Sequence, residues 1–181
     1  MGLYFADGTD FDSAGNKFAV QYGMTSNVTC SSSTGTVYLQ GNNVYQNGNN
    51  GGPGGNFSSG FGVGNSSGYV TFPSTGCYYL SFSVDGITTN TNVRSQTPTI
   101  FFTSNNGSSQ TTLAQKSTFI HRPTGTTTLN ECSVDALVDI TDTSNQKVRF
   151  GCQPDNIGTY FLQGSSSIVL TCFTIIRVRG T

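Results

Sequence analysis

Charge is what this sequence has least of. Lys, Arg, Asp and Glu make up 9% of its 181 residues, against roughly 25% in an average soluble chain. Eight basic residues face nine acidic ones, for a formal net charge of −1. That leaves no basic surplus to neutralise a phosphate backbone, so nucleic acid is excluded as an expected partner. No run of about 18 apolar residues occurs, and no membrane span is expected. Tryptophan is absent, Glu131 is the single Glu, and Ala occurs five times. With helix formers this scarce, an α-helical domain is excluded, whereas frequent Thr, Val, Tyr and Phe point to an all-β chain. Thr, Ser, Asn and Gly together supply 87 of the 181 residues. The 13 Phe and 8 Tyr argue against disorder, since disordered chains lack aromatic mass for a core.

A close pair of cysteines is missing too. Cys30, Cys77, Cys132, Cys152 and Cys172 are widely spaced, without a C-x-x-C pair, and His121 is the single His. A zinc site needs tighter spacing, so no metal is expected. An odd count leaves at least one thiol unpaired. Four of the five fall in apolar, strand-like runs, which suits buried free thiols in a reducing compartment. The first residues hold no basic and apolar leader, so no secretory signal is expected. Ala6 stands where N-myristoylation wants Ser or Thr.

Residues 1–16 are turn-rich and read as an N-terminal arm, with one domain over 17–181. Asp10 and Asp12 begin like a calcium loop, but Ala14 and Gln21 occupy positions that need ligands. Phe18 to Tyr22 and Thr36 to Gln40 read as short strands. Residues 41–68 form a long Gly/Asn-rich surface excursion, uncommon in a compact domain without a use. Tyr69 to Pro73 and Cys77 to Val84 follow, with Tyr78, Leu80, Phe82 and Val84 on one face by period two. Asp85-Gly86 reads as a turn, and Asn105-Asn106-Gly107 as a tight hairpin turn. Thr97 to Thr103, Thr111 to His121, Ser133 to Ile140 and Gln146 to Cys152 read as further strands. Ser167 to Val178, the longest apolar run, suggests a strand buried on both faces. This spacing predicts a β-sandwich or jelly roll.

The stretch Tyr69-Val-Thr-Phe-Pro-Ser-Thr-Gly76-Cys-Tyr78-Tyr79-Leu80-Ser-Phe82 resembles the signature of the C1q/TNF-like jelly-roll family. Gly76, Tyr78 and Phe82 match that pattern. Leu80 stands for its usual Phe, and Val70 for its upstream aromatic. The segment 44–49 and the order of later strands are also similar, so the resemblance spans roughly residues 17–179. It implies a ten-stranded jelly-roll sandwich assembled as a homotrimer. Tyr78, Leu80, Phe82, Phe173 and Ile175 would then lie in the core or the trimer interface. Any β-sandwich would favour a similar pattern after a turn, and a generic sandwich stays open beside the family.

No catalytic constellation stands out. Gly64-Asn-Ser66-Ser-Gly68 has the spelling of a nucleophile elbow, but that motif needs a strand before it and a helix after it. His121 next to Arg122-Pro123 reads as a surface residue. Glu131 with Asp135 or Asp139 has the residue types of a glycosidase pair, yet Asp135 and Asp139 sit on the polar face of a strand. Four Asn-x-Ser/Thr sequons, at Asn27, Asn56, Asn65 and Asn106, are expected by composition alone. Binding is the better expectation. Tyr45, Asn47, Asn49, Phe57 and Phe61 in the 41–68 excursion combine aromatic anchors with adaptable amides.

The sequence therefore predicts a non-enzymatic trimeric protein of a virion surface, either a capsid decoration protein or a fibre or spike head. Itself is the first partner, the capsid or another virion protein a second through the arm, and a host glycan or protein a third. No cofactor is expected. Folding in the host cytoplasm and display on the particle is the expected location. A secreted C1q/TNF-like ligand or lectin is the alternative.

Overall fold

The computed structural model describes residues 19–30, 36–42, 44–46, 61–88, 93–120, 127–156 and 160–180. No helix occurs among them. The strands in chain order are β1 (Ala19–Met24), β2 (Val28–Thr29), β3 (Val37–Tyr38), β4 (Val44–Gln46), β5 (Gly62–Val63), β6 (Tyr69–Thr71), β7 (Gly76–Thr88), β8 (Ser95–Thr103), β9 (Thr111–Gln115), β10 (Thr118–Phe119), β11 (Thr128–Ile140), β12 (Lys147–Pro154), β13 (Tyr160–Leu162) and β14 (Cys172–Arg179). Four of the fourteen, β2, β3, β5 and β10, are two residues long, so ten longer strands remain.

They form two antiparallel sheets. The first runs β2-β13-β7-β14-β1-β4, with β11 on the free edge of β7. The second runs β10-β8-β12-β6-β5, with β3 on β12 and β9 on β8. Together they make an all-β jelly-roll sandwich. β7 organises the first sheet. Its thirteen residues alternate buried and half-buried from end to end, as a pleated strand with one face on a core must. β11 pairs with its whole length, and β14 and β13 share its other edge.

The interior is aromatic at its centre. Phe150 of the second sheet stacks on Phe173 of the first at 4.2 Å, and Phe82 and Tyr22 continue the cluster. A second group, Phe61, Phe72 and Tyr78, closes one end, where Tyr78 Oη donates to the Ser74 carbonyl at 2.7 Å. A polar tie closes the other. Tyr160 of β13 donates to Gln96 Oε1 of β8, and Gln96 Nε2 donates to Asn130 Oδ1 of β11 at 2.8 Å. Gln96 is fully buried, and these bonds offset the cost of that burial.

Two expectations are corrected here. Asp85-Gly86 is not a turn: β7 continues through it to Thr88. Gly86 is required by close packing rather than by chain reversal, since a Cβ there would clash with Tyr160 Oη and Gln96 Oε1. Ser167 to Val178 is not a strand buried on both faces. β14 starts at Cys172 and buries Phe173 and Ile175 on one face, while Val178 is 52% exposed. The Asn105-Asn106-Gly107 segment does turn the chain, with φ of 58° at Asn106 and 91° at Gly107. It does so within a longer loop, because Phe102 pairs with Thr111.

Phe82 is fully buried between Phe150 and its neighbours on β7 and β14. Phe82→Ala is expected to lower unfolding free energy by about 3–5 kcal/mol in denaturant titration.

Candidate functional site

Tyr78, Leu80, Phe82, Phe173 and Ile175 all lie inside the single protomer, with at most 1% exposure. Phe61, expected in a ligand-binding loop, is in the core at 7% exposure, edge-on to Tyr78, and its carbonyl accepts from Tyr22 Oη at 3.1 Å. Tyr45 lies in β4, opposite Gly23 of β1. The Tyr45 side chain, Asn47, Asn49, Phe57, His121 and the 1–16 arm lie outside the described residues. Ser66 sits in a turn between β5 and β6, where Gly68 N donates to Gly64 O at 3.0 Å. A strand follows it, so the elbow geometry is absent. Among the described residues no group of three His, Cys, Asp or Glu side chains could hold a metal.

The outward face of the first sheet is the distinctive surface. Strand alternation puts residues 77, 79, 81, 83, 85 and 87 of β7 on it. Cross-strand register then lines up Leu137, Tyr79, Ile176 and Ala19 as one apolar row. Leu129, Ile87 and Phe161 form a second row. Between them lie hydroxyl and amide side chains, including Ser81, Ser83, Thr174 and Gln21, with Gln21 Nε2 donating to Thr174 Oγ1 at 3.2 Å. Leu129 and Leu137 are 66% and 63% exposed. Next to Leu129, on the adjoining edge of the sandwich, Phe119 of β10 is 85% exposed, and Asn130 Nδ2 donates to its carbonyl at 3.2 Å. Large exposed apolar side chains gathered on one face and its adjoining edge mark a candidate interaction surface.

Four carboxylates share this face. Asp135 and Asp139 leave β11 beside Leu137, and Asp135 accepts from Tyr79 Oη at 2.9 Å. Glu131 stands directly opposite Asp85, a like-charge cross-strand pair of the destabilising kind. Nothing in either local sequence shows this, because the two residues are joined only by the β11–β7 register. Partial burial first, and Glu131 second, hold the Asp85 carboxyl above its usual range. A carboxyl raised by folding favours the native state when protonated, and that stabilisation fades as pH rises through its folded pKa. Asp85→Asn is therefore expected to raise the melting temperature at pH 7. It should also remove the gain in stability that this carboxyl is expected to contribute to the wild type as pH falls toward 4.

All five cysteines are free thiols, and Cys30, Cys132 and Cys152 are buried. Burial pushes the Cys30 thiol up to about 12, and pushes Cys152 up as well, with Cys30 a further cause. A group held protonated this way is inert, since the thiolate is the nucleophile. A thiol reagent at about pH 8 is expected to leave Cys30 and Cys152 unlabelled in the native protein and to label them on unfolding. Early labelling of either would contradict this packing.

No family model matches the chain, and no curated protein sequence matches it. Among solved structures it is similar to a TNF named Eiger from S. frugiperda, with a TM-score of 0.58 at 11% identity, over 91% of this chain and 94% of that one. A likeness at this identity establishes the fold, the TNF-type jelly roll, and leaves function to the chain's own surfaces.

Proposed function

We propose that this chain is a non-enzymatic homotrimeric surface protein of a virus particle, a capsid decoration protein or the head of a fibre or spike. The trimer would form through the outward face of the first sheet. The observation that carries the trimer is the placement of apolar side chains on two different surfaces, exposed Leu137 and Leu129 with half-buried Tyr79 and Ile176 on the face, and exposed Phe119 at the adjoining edge. An edge that packs on a different face of the next copy makes a heterologous contact, and such contacts close into a ring where the rotation between copies divides a full turn. Three such sandwiches around an axis would cover both apolar rows.

The particle reading rests on composition and thiols. A chain with net charge −1 has little electrostatic repulsion to keep free copies apart, which a protein fixed to a particle tolerates better. Five free cysteines, three of them buried, suit folding in a reducing compartment before display. The 1–16 arm would attach the domain to the capsid or another virion protein. The second reading is a secreted TNF-like ligand, favoured by the fold of the similar structure, which is itself a TNF. Mass-spectrometric detection in purified particles tests the first reading; recovery only from cell medium would support the second.

The trimer surface has its own test. Leu137 is exposed in the protomer, so Leu137→Glu spares the fold. Sedimentation velocity is expected to show this variant as monomer with an unchanged far-ultraviolet circular dichroism spectrum.

A further inference from the structure

The second sheet carries a groove on its outward side, about 500 Å³ in volume, far from the proposed trimer face. Gly62, Ser67, Tyr69, Thr71, Asn106 and Lys147 line it. Its volume lies within the usual range of small-ligand sites, roughly 300–1,000 Å³. Two Gly/Asn-rich segments far apart in sequence build its walls. One is the end of the 41–68 excursion, held by Gly64 N to Tyr69 O at 2.9 Å and Gly41 N to Gly64 O at 3.1 Å. The other is the 104–110 loop. There Asn105 Oδ1 accepts from Thr103 Oγ1 at 2.8 Å and from Ser109 N at 3.0 Å, and Asn106 N donates to Asn145 O at 2.9 Å. Both walls are thus set by internal hydrogen bonds before any ligand arrives, which lowers the ordering cost of binding. Gly107 has to be glycine, since a Cβ on its φ of 91° backbone would stand 2.8 Å from the Tyr69 ring.

Tyr69 is the aromatic and Lys147 the cation among the lining residues, and further polar and aromatic groups stand behind Tyr69. Tyr69 Oη donates to Gln110 Oε1 at 3.1 Å, and Gln110 Nε2 donates to Tyr38 Oη at 3.1 Å. Arg149 lies over the Tyr38 ring at 3.2 Å and 5.1 Å from the Tyr69 ring centre. Its Nε is buried without a hydrogen-bond partner. Lys147 Nζ donates to Asn106 Oδ1, and no ion pair joins it to any described carboxylate. Lys147 and Arg149 thus stand on this face with no ion pair among the described residues, while Asp85, Glu131, Asp135 and Asp139 stand on the opposite one.

We propose that this groove binds a carboxylated oligosaccharide, with Lys147 taking the carboxylate and Tyr69 supporting a sugar ring. Ser67, Thr71 and Asn106 offer groups that both donate and accept, which matches the hydroxyls of a sugar. One accessible ammonium balances the single charge of a sugar acid rather than the double charge of a phosphate, because Arg149 is held against the tyrosines. The inference extends the reading of the chain as a binding protein. The groove lies within one protomer, so it stands or falls separately from trimer formation.

The test is an NMR titration of the isotope-labelled full chain with three probes, 3′-sialyllactose, a hyaluronan tetrasaccharide and neutral lactose. At least one acidic probe is expected to shift the Gly64 and Gly107 amides at millimolar concentration, while lactose leaves them in place. The two acidic arms distinguish a sialic acid from a uronic acid. Lys147→Gln, a surface change that spares the fold, is expected to weaken that binding about tenfold, the worth of one charge-assisted hydrogen bond. Lys116→Gln, the same charge change beyond the far end of β9, should leave it unaltered. The proposal is overturned if neither acidic probe binds, if lactose binds as well as they do, or if Lys116→Gln weakens binding as much as Lys147→Gln.

Discussion

The structure depends on the alternation of one strand. β7 keeps thirteen residues in strict inside–outside order, and it is paired on both edges. A shift of one residue would send Tyr78, Leu80, Phe82 and Val84 to the surface and bring Cys77, Tyr79, Ser81, Ser83 and Asp85 inside. The same register therefore fixes two things at once. It fills the aromatic centre with Phe82 against Phe150, and it writes the apolar rows and carboxylates on the outer face. Core and candidate interface are two sides of a single constraint.

The two sheets are joined differently at their two ends, which orients the sandwich. Aromatic rings close one end around Phe61, Phe72 and Tyr78. At the other, Tyr160, Gln96 and Asn130 form a buried hydrogen-bonded tie between β13, β8 and β11. Packing of rings is tolerant of small slides, whereas a buried tie with every partner satisfied is not. Gly86 is the local cost of that tie, a residue without a side chain in the longest strand. The outcome is a rigid frame with two unlike outer surfaces, one carrying apolar rows and four carboxylates, the other a groove lined by Tyr69 and Lys147.

Much of this was legible in the residues because period-two patterns report burial directly. Tyr78 to Val84 and Val134 to Ile140 alternate in the sequence as they do in the sheets. Legibility ended where pairing outweighed local preference. Asp85-Gly86 has the composition of a turn, yet β11 and β13 supply hydrogen-bond partners that keep it extended. Phe61 sits in a glycine-rich stretch that reads as solvated, yet Phe72 and Tyr78 give it a buried site. The Glu131–Asp85 pair and the groove shared by residues 62–67 and 106–107 arise only from tertiary placement. A Gly/Asn-rich segment carries no signal of which distant segment it will meet.

The low charge of the chain gains a physical role in this account. Few charges exist: four carboxylates stand on the face of β7 and β11, with Arg179 of β14 opposite Cys77 at its end, and Lys147 and Arg149 stand on the far sheet. Assembly through the first face would bury its apolar rows and leave the groove open to the outside on every copy. The most direct measurement is the mass of the wild-type protein by size-exclusion chromatography with multi-angle light scattering. Three chains of 19.1 kDa predict about 57 kDa. A single species of 19.1 kDa at micromolar concentration would contradict the account.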